Sequence, residues 1–93
     1  MNGNQRVELQ VEIVNRAGMH ARPAAEFVKT AGKFTSHVTV EKDGLEVNGK
    51  SIMGVLMLAA EQGSMLLLSA QGDDAHAAVE ALADLVGRGF EEA

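Results

Sequence analysis

Apolar and polar residues alternate at the start of the chain: Val7, Leu9, Val11 and Ile13 are separated by Glu8, Gln10 and Glu12. A period of two lines one face of a pleated strand, so a half-buried β-strand is predicted. After Ala21 the spacing becomes helical. Ala24, Phe27, Val28 and Ala31 share one side, Glu26, Lys29 and Thr30 the other, and Gly32 closes the helix. Alternation returns with Phe34, Ser36, Val38 and Val40 on one face and Thr35, His37, Thr39 and Glu41 on the other. Asp43-Gly44 is a hairpin signal, after which Leu45 and Val47 carry a short third strand to a turn at Asn48-Gly49. Ser51 can cap a second helix, Ile52 to Ala60, which is apolar nearly all round and ends at Glu61-Gln62-Gly63. Met65 to Ser69 lacks alternation and reads as a central strand. In the last helix Asp73 is the expected cap, Ala75, Ala78, Val79, Leu82, Leu85 and Val86 the apolar side, and Gly87 the end. Glu91-Glu92-Ala93 would then be a solvated tail.

The element order is therefore β-α-β-β-α-β-α. Each strand has one apolar face that the helices must cover, which predicts an α+β protein built as a two-layer, open-faced sandwich. Ninety-three residues suffice for one core, so residues 1–93 are expected to form a single domain.

Composition narrows the function classes. The net charge of −5 argues against nucleic acid as the main partner. No apolar run approaches the roughly 18–20 residues of a membrane span, so no membrane insertion is expected. Met1-Asn2-Gly3-Asn4-Gln5 lacks the basic and apolar regions of a secretory signal. The chain has no cysteine, hence neither a disulfide framework nor a thiolate site, which fits a cytoplasmic location. Charge is unevenly spread. Residues 15–50 hold six basic side chains (Arg16, Arg22, Lys29, Lys33, Lys42, Lys50) against four acids, while residues 51–93 hold Arg88 alone against seven. A mildly basic half inside an acidic protein suits contact with acidic partners or phosphate; scattered surface charge is the bland alternative.

The candidate chemistry lies where the first strand gives way to the first helix, Asn15-Arg16-Ala17-Gly18-Met19-His20-Ala21-Arg22-Pro23. Gly18 permits a tight turn. Pro23 has no N–H and is tolerated in a first helical turn, where that donor would be unpaired anyway. His20 becomes the N-cap, facing free N–H groups and the positive end of the helix dipole, with the Arg22 guanidinium nearby. Such a position suits a phosphoryl group carried on the imidazole. The bland alternative is a histidine that only caps a helix.

Other candidates are weaker. Gly44-Leu45-Glu46-Val47-Asn48-Gly49-Lys50-Ser51 fits the P-loop pattern letter for letter, but its middle reads as strand and Glu46 would face the bound anion. His37 and His76 have no further ligand at metal spacing, so no metal and no other cofactor is expected. Neither Ser51 nor Ser64 sits in a nucleophile elbow.

Gly18-Met19-His20-Ala21-Arg22-Pro23-Ala24 resembles the active-site signature of the HPr family, histidine-containing phosphocarriers of the bacterial phosphoenolpyruvate-dependent phosphotransferase system. Asn48-Gly49-Lys50-Ser51-Ile52-Met53-Gly54-Val55 resembles the family's regulatory-serine segment, and the likeness spans residue 6 to about residue 90. It implies a four-stranded antiparallel sheet in the order 1-4-2-3 with three helices on one face. It further implies a phosphoryl carrier rather than an enzyme. By that resemblance His20 takes a phosphoryl group on Nδ1 from phospho-enzyme I and passes it to an enzyme II A-type component in sugar uptake. Arg22 would contact the phosphate, and the backbone N–H groups of Ala21 and Arg22 would cradle it. Ser51 would be the site of a serine kinase/phosphorylase, and Ile52, Met53, Val55 and Met57 the docking surface. The carrier is expected to be a monomer. Leu56 to Gly63 resembles the nitrogen-related branch at least as well as the sugar branch. A regulatory paralogue that binds transcriptional regulators or enzymes according to its phosphorylation state therefore stays open.

Overall fold

The computed structural model describes residues 5–92, so the readings of Met1 to Asn4 and of Ala93 lie outside the described residues. The elements are β1 (Arg6–Glu12), α1 (Ala21–Ala31), β2 (His37–Lys42), β3 (Leu45–Asn48), α2 (Ile52–Met57), β4 (Met65–Gln71) and α3 (Ala75–Gly87), followed by a 3-10 turn at Gly89–Glu91. All strand pairs are antiparallel, in the order β1-β4-β2-β3, as expected.

Register explains why one face is apolar. Val7, Ala70 and Val38 form one cross-strand row; Leu9, Leu68, Val40 and Val47 form the next; Val11 pairs with Leu66. Ala24, Phe27 and Ala31 of α1, Val55 of α2, and Ala75, Ala78, Val79, Leu82 and Val86 of α3 join Leu66, Leu68, Val38 and Val40 in a single buried core. Leu9 stays exposed because β1 is an edge strand. The opposite sheet face carries Glu8, Glu12, Glu41 and Glu46 and is uncovered, giving two layers. No helix among the described residues is long and apolar enough to cross a membrane.

Four boundaries differ from the sequence reading, each for a local reason. The second strand starts at His37 instead of Phe34, because the N–H groups of Thr35 and Ser36 both donate to the Asp74 carboxylate at 2.9 Å. The α3 N-cap is consequently Asp74, not Asp73, and its side chain caps no helical N–H. Helix α2 stops at Met57: the N–H groups of Leu58 and Ala59 bond three residues back, tightening the last turn, and Ala59 turns left-handed at φ 49°. The tail is solvated only in part. Glu91 is exposed as expected, but Glu92 is half-buried; the Phe90 ahead of them is fully buried, and Gly89, Phe90 and Glu91 all have positive φ, folding the chain back on the molecule. The P-loop lookalike is half strand: Leu45–Asn48 pairs with β2, with no loop to wrap phosphates.

Candidate functional site

His20 is the N-cap of α1, with extended backbone (φ −82°, ψ −169°) and no hydrogen bond from its ring to the helix. The imidazole is therefore free of capping duty. The Ala24 N–H reaches back to the His20 carbonyl at 2.9 Å. The N–H groups of Ala21 and Arg22 precede that first intrahelical bond, and Pro23 has none. Two first-turn backbone donors and the positive helix end thus follow directly on the residue that carries the ring.

The loop ahead of it is fixed by close contacts. Gly18 has φ +74°, and a Cβ there would stand 2.5 Å from the Ala60 carbonyl oxygen, so only glycine fits. The next N–H, that of the buried Met19, donates to the same oxygen at 2.8 Å. The short α2 thereby frees the acceptor that holds the His20 loop. Asn15, also buried, donates from Nδ2 to the Gly18 carbonyl at 2.9 Å and locks the turn from inside.

The folded-back tail adds a group that the sequence reading missed. Glu92 Oε2 lies 3.0 Å and Oε1 3.3 Å from His20 Nε2, and Asn15 Nδ2 also donates to Oε1 at 3.0 Å. Arg22 Nε is 3.6 Å from Glu92 Oε2, and its Nη1 is 3.4 Å from Glu26. The Glu92 side chain is 14% exposed against 44% for His20 and 55% for Arg22. Burial alone would raise the Glu92 carboxyl, but the hydrogen bonds from Asn15 and His20 and the fields of His20 and Arg22 hold it below its ordinary value. It is an anion at neutral pH. A lone apolar residue after the final helix, Phe90, was the one available signal that this tail is anchored.

Ser51 is the α2 N-cap, its Oγ accepting the Gly54 N–H at 3.1 Å. It stands at the opposite end of α2 from the Ala60 contact, about 9 Å of helix away. Ile52, Met53 and Met57 are exposed on that helix, Met53 and Met57 by 69% and 65%. Val55, expected beside them, is fully buried in the core and offers no docking surface, because the helix turns it towards α1 and the sheet. His37 lies on the uncovered sheet face, and His76 pairs with Glu80 across one helical turn, at 3.6 Å. Among the described residues no three metal-ligating side chains come together.

Comparison with known proteins points to one family. Residues 7–88 match the family described as the PTS HPr component phosphorylation site. The phosphocarrier protein HPr of Xylella fastidiosa is 43% identical over 86 residues, 92% of this chain and 97% of its own. The crystal structure of HPr from Thermoanaerobacter tengcongensis superposes with a TM-score of 0.90 at 52% identity, covering 94% of this chain and 98% of that one. Crh of Bacillus subtilis, a catabolite-repression protein solved as a domain-swapped dimer, superposes with a TM-score of 0.71 at 48% identity, over 94% and 97% of the two chains. With the family match covering most of the chain and the sheet order the same, this protein belongs to the HPr family of phosphotransferase-system phosphocarriers.

Proposed function

We propose that this chain, as a single domain over residues 1–93, carries a phosphoryl group on His20, taking it from phospho-enzyme I and giving it to an enzyme II A-type component in sugar uptake. The observation that carries the reading is the half-exposed imidazole at the N-cap of α1, ahead of the first-turn N–H groups, with the Arg22 guanidinium sharing its Glu92 partner. The Nδ1 lone pair attacks phosphorus, the donor's N–P bond breaks, and the electron pair leaves with the donor imidazole. The backbone N–H groups of Ala21 and Arg22, with the Arg22 side chain, then meet the phosphoryl oxygens. Ile52, Met53 and Met57 border the loop that α2 holds in place and form the apolar docking surface for both partners. The protein works in the cytoplasm as a monomer.

Incubation with phosphoenolpyruvate and enzyme I tests the reading. The chain should gain an acid-labile, base-stable phosphate; His20→Ala should abolish it, while His37→Ala and His76→Ala keep it. Label retained by the His20→Ala variant would overturn the assignment.

A regulatory role has one observation in its favour. Ser51 lies partly exposed at a helix start, next to the exposed apolar side chains of α2. Phosphorylation there by a serine kinase/phosphorylase would place a dianion on the docking surface and change which proteins bind, transcriptional regulators among them. A panel of acceptors separates sugar-specific from nitrogen-related partners.

A further inference from the structure

We propose that the uncovered face of the sheet is a second docking surface, and that its occupant is a basic amphipathic helix of another protein. The face looks away from the helices, one of which presents His20, so a partner held there leaves the imidazole free.

Strand register places the charges. Glu41 of β2 stands directly across from Glu46 of β3, in a row that continues through Leu67 of β4 to Gln10 of β1. Directly opposed residues have Cβ atoms about 5 Å apart, and like charges there are destabilising. Among the described residues neither carboxylate joins an ion pair. The neighbouring rows add Glu8 and Glu12. Arg6 brings a guanidinium to the same face, but Glu8 takes it at 3.0 Å.

The centre of the face is not acidic. Leu67 is partly exposed, and Met65, which pairs with Glu12, is 47% exposed. Beside them Ser69, in register with Glu8 and Thr39, is only 3% exposed, yet its Oγ has no hydrogen-bond partner. Two positions on from Leu67, it shares that residue's side of the strand. A buried hydroxyl costs stability until a partner reaches it. An apolar centre, a charged rim and an unpaired hydroxyl make up an interface waiting for its other half.

The chemistry of the occupant follows. Four carboxylates against one paired guanidinium repel phosphate and acidic proteins, and they attract Lys and Arg. The backbone groups of the inner strands β4 and β2 are spent within the sheet, so the partner binds through side chains and not as an added strand. A helix meets that condition, completing on this side the layer that α1, α2 and α3 form on the other. Its apolar stripe would sit on Leu67 and Met65, with Lys or Arg between Glu41 and Glu46 and beside Glu12. Four strands at about 4.8 Å spacing and some 20 Å of length offer roughly 400 Å². A stable interface buries about twice that on each side, so the contact is transient and takes one helix, not a domain.

Nitrogen-15 NMR on the full chain tests the proposal, with two synthetic helical peptides of about four turns as probes. Both carry a leucine stripe; one flanks it with lysine, the other with glutamate. The lysine peptide should shift the amide signals of Glu41, Glu46, Leu67 and Ser69, leave those of His20 and Arg22 in place, and bind more weakly as salt is raised. Glu41→Gln combined with Glu46→Gln should weaken it on the order of tenfold. Glu46→Gln alone should raise the melting temperature, since one of two opposed charges is gone. Signals that move only on α1 and α2, or only at the carboxylates of α3, overturn the proposal. So does equal binding of the glutamate peptide, or an undiminished affinity in the double variant. Self-association of the free chain that the double variant abolishes gives the face to a second copy and overturns the basic helix. A lower melting temperature for Glu46→Gln makes the opposed pair a stabilising feature of the sheet and overturns the inference as well.

Discussion

Arg22 stands between two carboxylates in the resting protein, Glu26 at 3.4 Å and Glu92 at 3.6 Å. The guanidinium is itself 55% exposed and both contacts are long, so the side chain can turn to a phosphoryl group at small cost. Arg22→Ala should therefore leave the melting temperature almost unchanged. Transfer should slow by roughly ten- to a hundredfold, about 1–3 kcal/mol in the transition state, measured by rapid quench under single-turnover conditions. Gly18 makes the opposite prediction. A Cβ there meets the Ala60 carbonyl at 2.5 Å and must adopt φ +74°, so Gly18→Ala should destabilise the fold by about 1–3 kcal/mol in urea. His20 and Arg22 were legible in the sequence because turn, cap and helix start lie within a few residues of each other. Glu92 was not. It meets His20 across 72 positions, through a reversal in which only Gly89 announces a left-handed backbone.

At the scale of elements, the helices and strands followed their periodicity, and the boundaries that moved were those settled by a distant partner. Asp73 and Asp74 are equivalent letters for a cap; Thr35 and Ser36 choose between them by binding Asp74. Helix α2 is short because the chain beyond it must turn Ala60 towards Met19, which no periodicity records. The same helix carries a prediction. Asp is as good a cap as Ser, and a negative charge at a helix start is favourable, so Ser51→Asp should keep or raise the melting temperature. Next to Ile52 and Met53, however, the charge must be desolvated when a partner docks. The expected result is a higher KM for His20 phosphorylation by enzyme I with little change in kcat. Unchanged kinetics in a folded Ser51→Asp protein would leave Ser51 a plain helix cap.

Across the whole molecule, the interior place of β4 was readable from its lack of alternation, whereas the full strand order was legible only through the resemblance to the HPr family. The tie between α3 and the loop before β2 was not readable, and it sets the acid stability. Hydrogen bonds from the Ser36 hydroxyl, the Thr35 and Ser36 N–H groups and the Thr35 hydroxyl outweigh desolvation and lower the Asp74 carboxyl from 3.8 to about 2. A carboxyl lowered on folding contributes stability that is complete above its unfolded value and is lost as pH falls through the folded one. The melting temperature should thus drop between about pH 4 and 2, and Asp74→Asn should be less stable at neutral pH with a shallower drop over that interval. Equal pH profiles for the two proteins would remove Asp74 from the acid transition.

The folded-back tail also matters for how the protein is handled. Glu92 lies against His20, whereas the described chain begins at Gln5, bonded to Gly72 at the far end of β1. Seven strand residues separate the two ends of β1, about 23 Å. An affinity tag or fluorophore joined after Glu92 would thus emerge beside the imidazole and pull on the reversal at Phe90. One joined ahead of Gln5 would emerge at the other end of the sheet. Phosphotransfer rates measured on a carboxy-terminally tagged protein would report the tag as much as the carrier.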